Sequence, residues 1–327
     1  MGSTHLKALR NVTGAKLAAV VSSDENKLTG DLSAIQGNLG GPREKMDFSG
    51  VARYHSVDEA LRDPNVDAVD ICLPTDKHAS TSIDALRAGK HVLVEKPMAL
   101  DGETADRMIE EADRAGKLLM TAQVLRFLPP YAAAGTMVKA AALGPVRSAI
   151  FRRRCAAPAW SKWLSDPSKS GGGVFDLLIH DIDYCIHLFG APAAVSATGY
   201  EDAPHGIDSI LAQLHYPGLD AIVTGGWHHP KAYPFSMEFT IISDGGTLEF
   251  SSAGKPLTLY KADGEEVPVE APEKDGFEAE LEYFVACASS GAEPERCPPR
   301  ESALAVRIAR AMLESRAKNG ERIACKV

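Results

Sequence analysis

The first third of the chain alternates apolar runs with amphipathic stretches, and that alternation leaves few folds open. Residues 17–21, 66–73, 91–94 and 118–122 are apolar-rich segments of the kind that strands buried on both faces require. Between them, residues 81–88 and 103–115 carry helical periodicity, and Gly89 and Gly116 stand where a helix should stop. A further short amphipathic helix spans residues 3–10. Strand and helix at this spacing predict βαβ units on a parallel sheet.

After about residue 124 the pattern changes. Residues 195–260 form several extended segments broken by Tyr216-Pro217-Gly218, Asp244-Gly245-Gly246, Ala253-Gly254-Lys255-Pro256 and Asp263-Gly264. Residues 235–240 alternate apolar and polar, as a strand with one covered face does. Helices over 277–289 and 299–318 close the chain. The fold class expected is therefore α/β. A Rossmann-type parallel-sheet domain over 1–123 precedes an α+β domain over 124–327 with a mostly antiparallel, open sheet. Two domains also suit 327 residues at about 150 per domain.

Composition removes other classes. With 45% apolar and 24% charged residues the chain is globular, and a net charge of −9 argues against nucleic-acid binding. No run approaches the ~18 apolar residues of a membrane span, so no membrane partner is expected. Met1-Gly2-Ser3-Thr4-His5 lacks a secretory pattern. The six cysteines (Cys72, Cys155, Cys185, Cys287, Cys297 and Cys325) form no CxxC pair, which predicts reduced thiols and a cytoplasmic protein.

The front of the first domain departs from the expected order of strand, GxGxxG turn and helix. Gly2 directly precedes the helix over 3–10, with no strand or earlier glycines before it. It either stands where the third glycine belongs or is simply an N-terminal residue. The rest of the domain favours the former, which predicts a late start assignment or a shortened chain. The sheet would then have two unpaired inner edges, and the cofactor would bind weakly or need a compensating strand.

The most informative segment is 176–189, DLLIHDIDYCIHLF. As one helix it places Asp176, His180, Asp183 and His187 on a single stripe. Ionisable groups on so apolar a helix predict a wet cavity, with Asp176 orienting His180. A core histidine satisfied by its neighbours is the alternative. Gly171-Gly172-Gly173 just before it would let backbone approach a ligand. Glu95-Lys96-Pro97 ends the strand at 91–94, where ligands of open α/β sheets bind. Lys96 can hold a reacting hydroxyl there, or be an ordinary solvated lysine.

Together these pieces closely resemble the Gfo/Idh/MocA oxidoreductases. The shared residues are Glu95-Lys96-Pro97 and Gly171-Gly172-Gly173-x-x-Asp176-x-x-x-His180-Asp181-x-Asp183. To these add Gly2-x-x-His5, Leu73-Pro74-Thr75-x-x-His78, Arg126-Phe127, Gly225-Gly226-Trp227 and Gly245-Gly246-Thr247. The resemblance implies hydride transfer between nicotinamide and a carbinol or carbonyl carbon of a sugar, cyclitol or related polyol. It implies Lys96 at the reacting hydroxyl, Asp176 and His180 as the proton-relaying dyad, and Asp183 on a substrate hydroxyl. Gly2, Leu73, Pro74, Thr75, His78 and Glu95 would line the cofactor, and Gln123 and Arg126 its nicotinamide side. A homo-oligomer, dimer or tetramer, through the open sheet face is also implied. The departure is the missing front of the glycine loop.

Cofactor choice turns on Ser22, Ser23 and Asp24, at the position that usually binds the adenosine ribose. The serines would accept a 2′-phosphate and Asp24 a free ribose; the reading leans to NADP over NAD. Trp160 and Trp163 either wall a sugar site or pack. His228-His229 should face opposite sides of a strand, which predicts no metal and leaves His228 to line the substrate pocket. Arg152-Arg153-Arg154 should split between two faces for the same reason. The competing readings are a binding or regulatory homologue that lost turnover, and a glycosidase using NAD transiently.

Overall fold

The computed structural model describes residues 1–35, 45–158, 163–202 and 205–325. The first part runs α1 (Gly2–Leu9), β1 (Ala19–Val21), α2 (Glu25–Leu28), β2 (Ala52–Tyr54), α3 (Val57–Leu61), β3 (Ala68–Ile71), α4 (His78–Arg87), β4 (His91–Glu95), α5 (Gly102–Ala115) and β5 (Leu119–Ala122). Local chemistry sets these bounds. The Asp101 side chain accepts from the Thr104 N–H at 2.8 Å to start α5, and Gly116 ends it at φ 59°. Ala105, Met108, Ile109 and Ala112 recur at helical spacing and are the buried stripe of that helix. In β4, Val92, Leu93 and Val94 are fully buried, as a central parallel strand requires.

The parallel strands do not form one sheet. β3, β4 and β5 pair in that order, while β1 and β2 pair separately. In the order 3-2-1-4-5-6 of a dinucleotide fold they supply 3-2 and 4-5-6. No strand among the described residues pairs the inner edges of β1 and β3. The expected pair of open edges is thus present.

The second part runs α6 (Pro129–Lys139), β6 (Val146–Ala156), α7 (Pro167–Ser170), α8 (Ile179–Phe189), β7 (Ala194–Asp202), β8 (Ile207–Tyr216), β9 (Leu219–His229), β10 (Ser236–Ser243), β11 (Gly246–Ser251), β12 (Lys255–Lys261), β13 (Glu266–Pro268), α9 (Gly276–Ser290), α10 (Pro299–Ala317) and β14 (Ile323–Ala324). Nine strands pair in the order β13-β12-β11-β10-β6-β9-β8-β7-β14, antiparallel except between β6 and β9. One face buries Ala149, Phe151, Val223, Phe239 and Ile241 in a core shared with α5, α8 and α10. The other face leaves Ile150, Tyr200, Leu211 and Ile242 exposed. The three consecutive arginines split as strand geometry predicts. Arg153 is buried on Asp181 through two bonds of 2.9 and 3.0 Å, while Arg152 and Arg154 pair with Glu238 on β10.

Three expectations about the second part need correction. The helix expected over 176–189 begins as a π turn, Val174–Leu178, and becomes α-helical only at Ile179. The glycine run before it, expected to admit a ligand, is held close against protein. Asp208 on β8 accepts from the Gly173 N–H at 2.6 Å, and a Cβ on Gly172 would lie 2.6 Å from its carboxylate. Gly172 also has φ 79°, so two independent constraints require glycine there. Finally, His228 and His229 do not splay apart. A register shift opposite them, with Cys155 facing Trp227 and Ala156 facing His229, brings their rings to 4.1 Å.

Candidate active site

The carboxyl end of β4 delivers Lys96 to the π turn. Its Nζ donates to the Asp176 carbonyl at 2.6 Å and to Asp176 Oδ1 at 3.2 Å. Asp176 therefore holds Lys96 and does not orient His180, which corrects the expected dyad. The physical reason is the π turn, whose wider i to i+5 winding takes Asp176 out of the i, i+4 line with His180. His180 keeps part of its ring exposed, and its Nδ1 is buried without a partner among the described residues. Burial, then the charges of Lys96 and Arg153, hold its pKa well below the usual 6.5. The ring is neutral at neutral pH and so retains a lone pair that can take a proton.

Glu95 is buried beside this lysine and accepts from the Lys96 backbone N–H at 3.1 Å. Burial alone would raise its pKa. The hydrogen bond and charge of His5, with Lys96, lower it instead to about 2. His5 bridges Glu95 at 3.1 Å and Asp70 at 2.8 Å. Although burial opposes it, the Asp70 charge keeps this imidazole protonated. His5, Cys72 and Glu95 bring one ligand-type atom each within 4.8 Å of one another, the only such group among the described residues. The imidazolium already balances the carboxylates there.

Around the carboxyl ends of the parallel strands the remaining residues divide into clamps and open groups. His78 spans two loops, with Nδ1 2.8 Å from the Pro97 carbonyl and Nε2 2.8 Å from the Leu73 carbonyl. Pro74 caps the short 3₁₀ turn that buries Thr75, and Leu73 is exposed beside it. Gly2 opens α1, where a Cβ would meet Cys72 at an ordinary 3.5 Å. At the end of β1, Ser22 accepts from the Asp24 N–H, Asp24 caps α2 through the Asn26 N–H, and Ser23 is exposed. At the end of β5, Thr121 Oγ1 and Gln123 Oε1 are buried without partners among the described residues. An unpaired amide oxygen just beyond the carboxyl end of a parallel strand fits the carboxamide N–H of a nicotinamide.

Asp183 departs from its expected place. It is fully buried and bound by Arg126 through bonds of 2.8 and 2.6 Å, and Arg126 also reaches Glu301 at 2.6 Å. The two opposite charges, removed from water, hold each other. Trp163 packs with Cys155, Leu164, Leu177 and Trp227, one residue from Asp176. Trp160 lies outside the described residues. His228, expected at the substrate pocket, has its Nδ1 buried without a partner among the described residues, and so do Trp227 Nε1 and His229 Nε2, which motif reading missed. Gly225-Gly226-Trp227 was visible in the sequence, but the bulge that brings the two histidine rings together was not.

A split parallel sheet of dinucleotide-fold order followed by a nine-stranded open sheet is a two-part Rossmann architecture. The chain belongs to the Gfo/Idh/MocA family. Residues 1–123 match the oxidoreductase family's NAD-binding Rossmann fold, and residues 131–249 match the GFO/IDH/MocA C-terminal domain. An uncharacterized oxidoreductase of Rhizobium meliloti is 37% identical over 174 residues, 52% of this chain and 52% of that relative. An NADP(+)-dependent scyllo-inositol 2-dehydrogenase of Bacillus subtilis is 26% identical over 246 residues, 73% of this chain and 65% of that protein. The crystal structure of an aldose-aldose oxidoreductase from Caulobacter crescentus, complexed with glycerol, superposes with a TM-score of 0.83 at 24% identity. That match covers 97% of this chain and 94% of the other. Among the described residues no helix is long and apolar enough to cross a membrane.

Proposed function

We propose that this protein is an NAD(P)-dependent dehydrogenase or reductase acting on a CH–OH carbon of a sugar, cyclitol or related polyol. The observation that carries the reading is the neutral, unpartnered His180 under the charge of Lys96. The nicotinamide, when bound, supplies or takes the hydride. His180 takes the hydroxyl proton, and Lys96 stabilises the oxygen as it becomes an alkoxide. Asp176 positions Lys96 by holding its ammonium at 3.2 Å. Residues 1–123 hold cofactor through Gly2, the Leu73–Thr75 turn and Gln123, and residues 124–327 hold substrate.

The substrate side fits a polyhydroxyl ligand. Trp227, His228 and His229 offer three buried ring nitrogens seeking partners, and Trp163 supplies an apolar wall. Asp183 and Arg126 act as support behind this pocket. Ser22 and Ser23 favour NADP, since Asp24 already serves as the α2 cap. We further assign the protein to the cytoplasm, as a homo-oligomer joined through the open sheet face.

A nicotinamide fluorescence titration with NADPH and NADH, followed by a polyol screen for NAD(P)H production, tests this. Saturable binding with net reduction on a polyol supports it. Binding without net reduction points to a sensor or glycosidase, and no binding sinks the cofactor assignment. Tighter NADH than NADPH binding overturns the NADP preference.

A further inference from the structure

A cavity of about 470 Å³ opens on the far side of the Arg126–Asp183 pair. Lys139 at the end of α6, His187 near the end of α8, and Arg296 between α9 and α10 converge on it. His187 lies seven residues beyond His180, about 10 Å along the helix. The cavity is therefore separate from the site of Lys96 and Asp176.

Lys139 and Arg296 line it with cationic groups that no direct ion pair takes up among the described residues. The Arg126 charge is spent on Asp183 and Glu301. Among the described residues, neither Lys139 nor Arg296 makes an ion pair. Lys139 Nζ lies 3.2 Å from His187 Nδ1. An ammonium only donates, so the His187 proton sits on Nε2 and that nitrogen is also a donor. Arg296 donates Nε and one Nη to the Arg126 carbonyl and lies 4.1 Å over the Phe127 ring. Its other terminal nitrogen makes no bond among the described residues. The lining residues include one carboxylate, Glu295, which is exposed.

Lys139 and His187 on this wall are both pushed towards their neutral forms. Burial and the neighbouring Arg126 charge lower the pKa of Lys139, with Glu301 opposing them. Burial, then Arg126, Lys139 and Arg296, push His187 down to about 3. Like charges crowd here in a protein whose net charge is −9. A wall built of donors and cations is complementary to an acceptor-rich anion.

We propose that this cleft is a binding site for a small multivalent oxyanion, a phosphate ester or a polycarboxylate, held by Lys139, Arg296 and the Nε2–H of His187. Occupation would relieve the mutual repulsion of the cations. It would also rest against Arg126, whose other side grips Asp183 on α8 between His187 and His180.

Isothermal titration of the full chain with citrate and, separately, with inorganic pyrophosphate tests the site. Lys139 is exposed, so Lys139→Glu leaves the core intact, and Lys139→Arg preserves the charge. One equivalent of citrate or pyrophosphate should bind to wild type and to Lys139→Arg. Lys139→Glu and Arg296→Gln should each weaken it tenfold or more, and added salt should weaken it in wild type. Citrate binding alone identifies a polycarboxylate site and pyrophosphate alone a phosphate site; either supports the proposal. Pyrophosphate heat that survives both variants arises at another site, and without citrate binding that the variants weaken it overturns the proposal. The proposal is overturned if neither probe binds by about 10 mM. It is equally overturned if binding is unchanged in both variants.

Discussion

Two side chains carry the proposed chemistry, and they make different demands on pH. His180 must be neutral to accept a proton, and burial with Lys96 and Arg153 depresses its pKa well below 6.5. Oxidation should therefore hold its rate as pH falls through 6.5, where an unperturbed imidazole would begin to protonate. An acid limb centred at 6.5 in the kcat profile would show that another group is the base. His180→Ala and Lys96→Ala should each lower turnover by about 10²–10⁴-fold in the polyol assay. Near-normal turnover in both would remove the assignment. Lys96, Asp176 and His180 were legible as residue types at meaningful positions. Their contacts were not, because an i, i+4 reading presumes α-helical winding and the chain winds wider at Val174–Leu178. Helical periodicity contains no signal for one extra residue in a turn.

At the scale of elements, the second domain is tied together by buried arginine–carboxylate pairs. Arg153 on β6 holds Asp181 on α8, and Arg126 holds Asp183 two residues further on. Arg316 on α10 grips Asp208, which in turn accepts from the N–H groups opening the π turn. The same helix that presents His180 is thus fixed by charges on its neighbours. Reading its polar stripe as one wet face fails at Asp183, which is fully buried, whereas Asp176 and His180 are only half-buried. Spacing along one helix says which residues share a face; it does not say that an arginine from another element will meet them. The exposure of each pair decides its worth. Asp181→Ala strands a fully shielded guanidinium and should cost about 3–5 kcal/mol in urea unfolding. Asp244→Ala breaks the Arg147 pair, more than half exposed on both sides, and should cost under about 1 kcal/mol. Equal costs for the two would mean that Arg153 finds solvent or another partner when Asp181 is removed.

Beyond the two small parallel sheets, the molecule sets helices against one face of a nine-stranded sheet, and the other face is where assembly is to be sought. The change from parallel to antiparallel strands was visible in the turn residues after about residue 195, and so was the alternation that leaves a strand half covered. The row that crosses the sheet was not visible, because it depends on register. Tyr200 lies opposite Ser209, Leu211 opposite Thr224, Ile222 opposite Ile150, and Ile150 opposite Thr240. Residues of one parity on each strand share a face, so Tyr200, Leu211, Ile150 and Ile242 form a band from β7 to β10. All four are large, and each is at least 40% exposed. Apolar side chains scattered singly need no explanation, but a register-linked band across five strands is the pattern of a buried interface. If two copies meet through this band, charges placed in it must be desolvated without partners. Leu211→Asp together with Ile150→Asp should then convert the assembly to single chains in light scattering while the melting temperature of each chain is largely kept. Wild type that already runs as a single chain would refute this face as the contact. An assembly unchanged by both aspartates would move the contact to another surface.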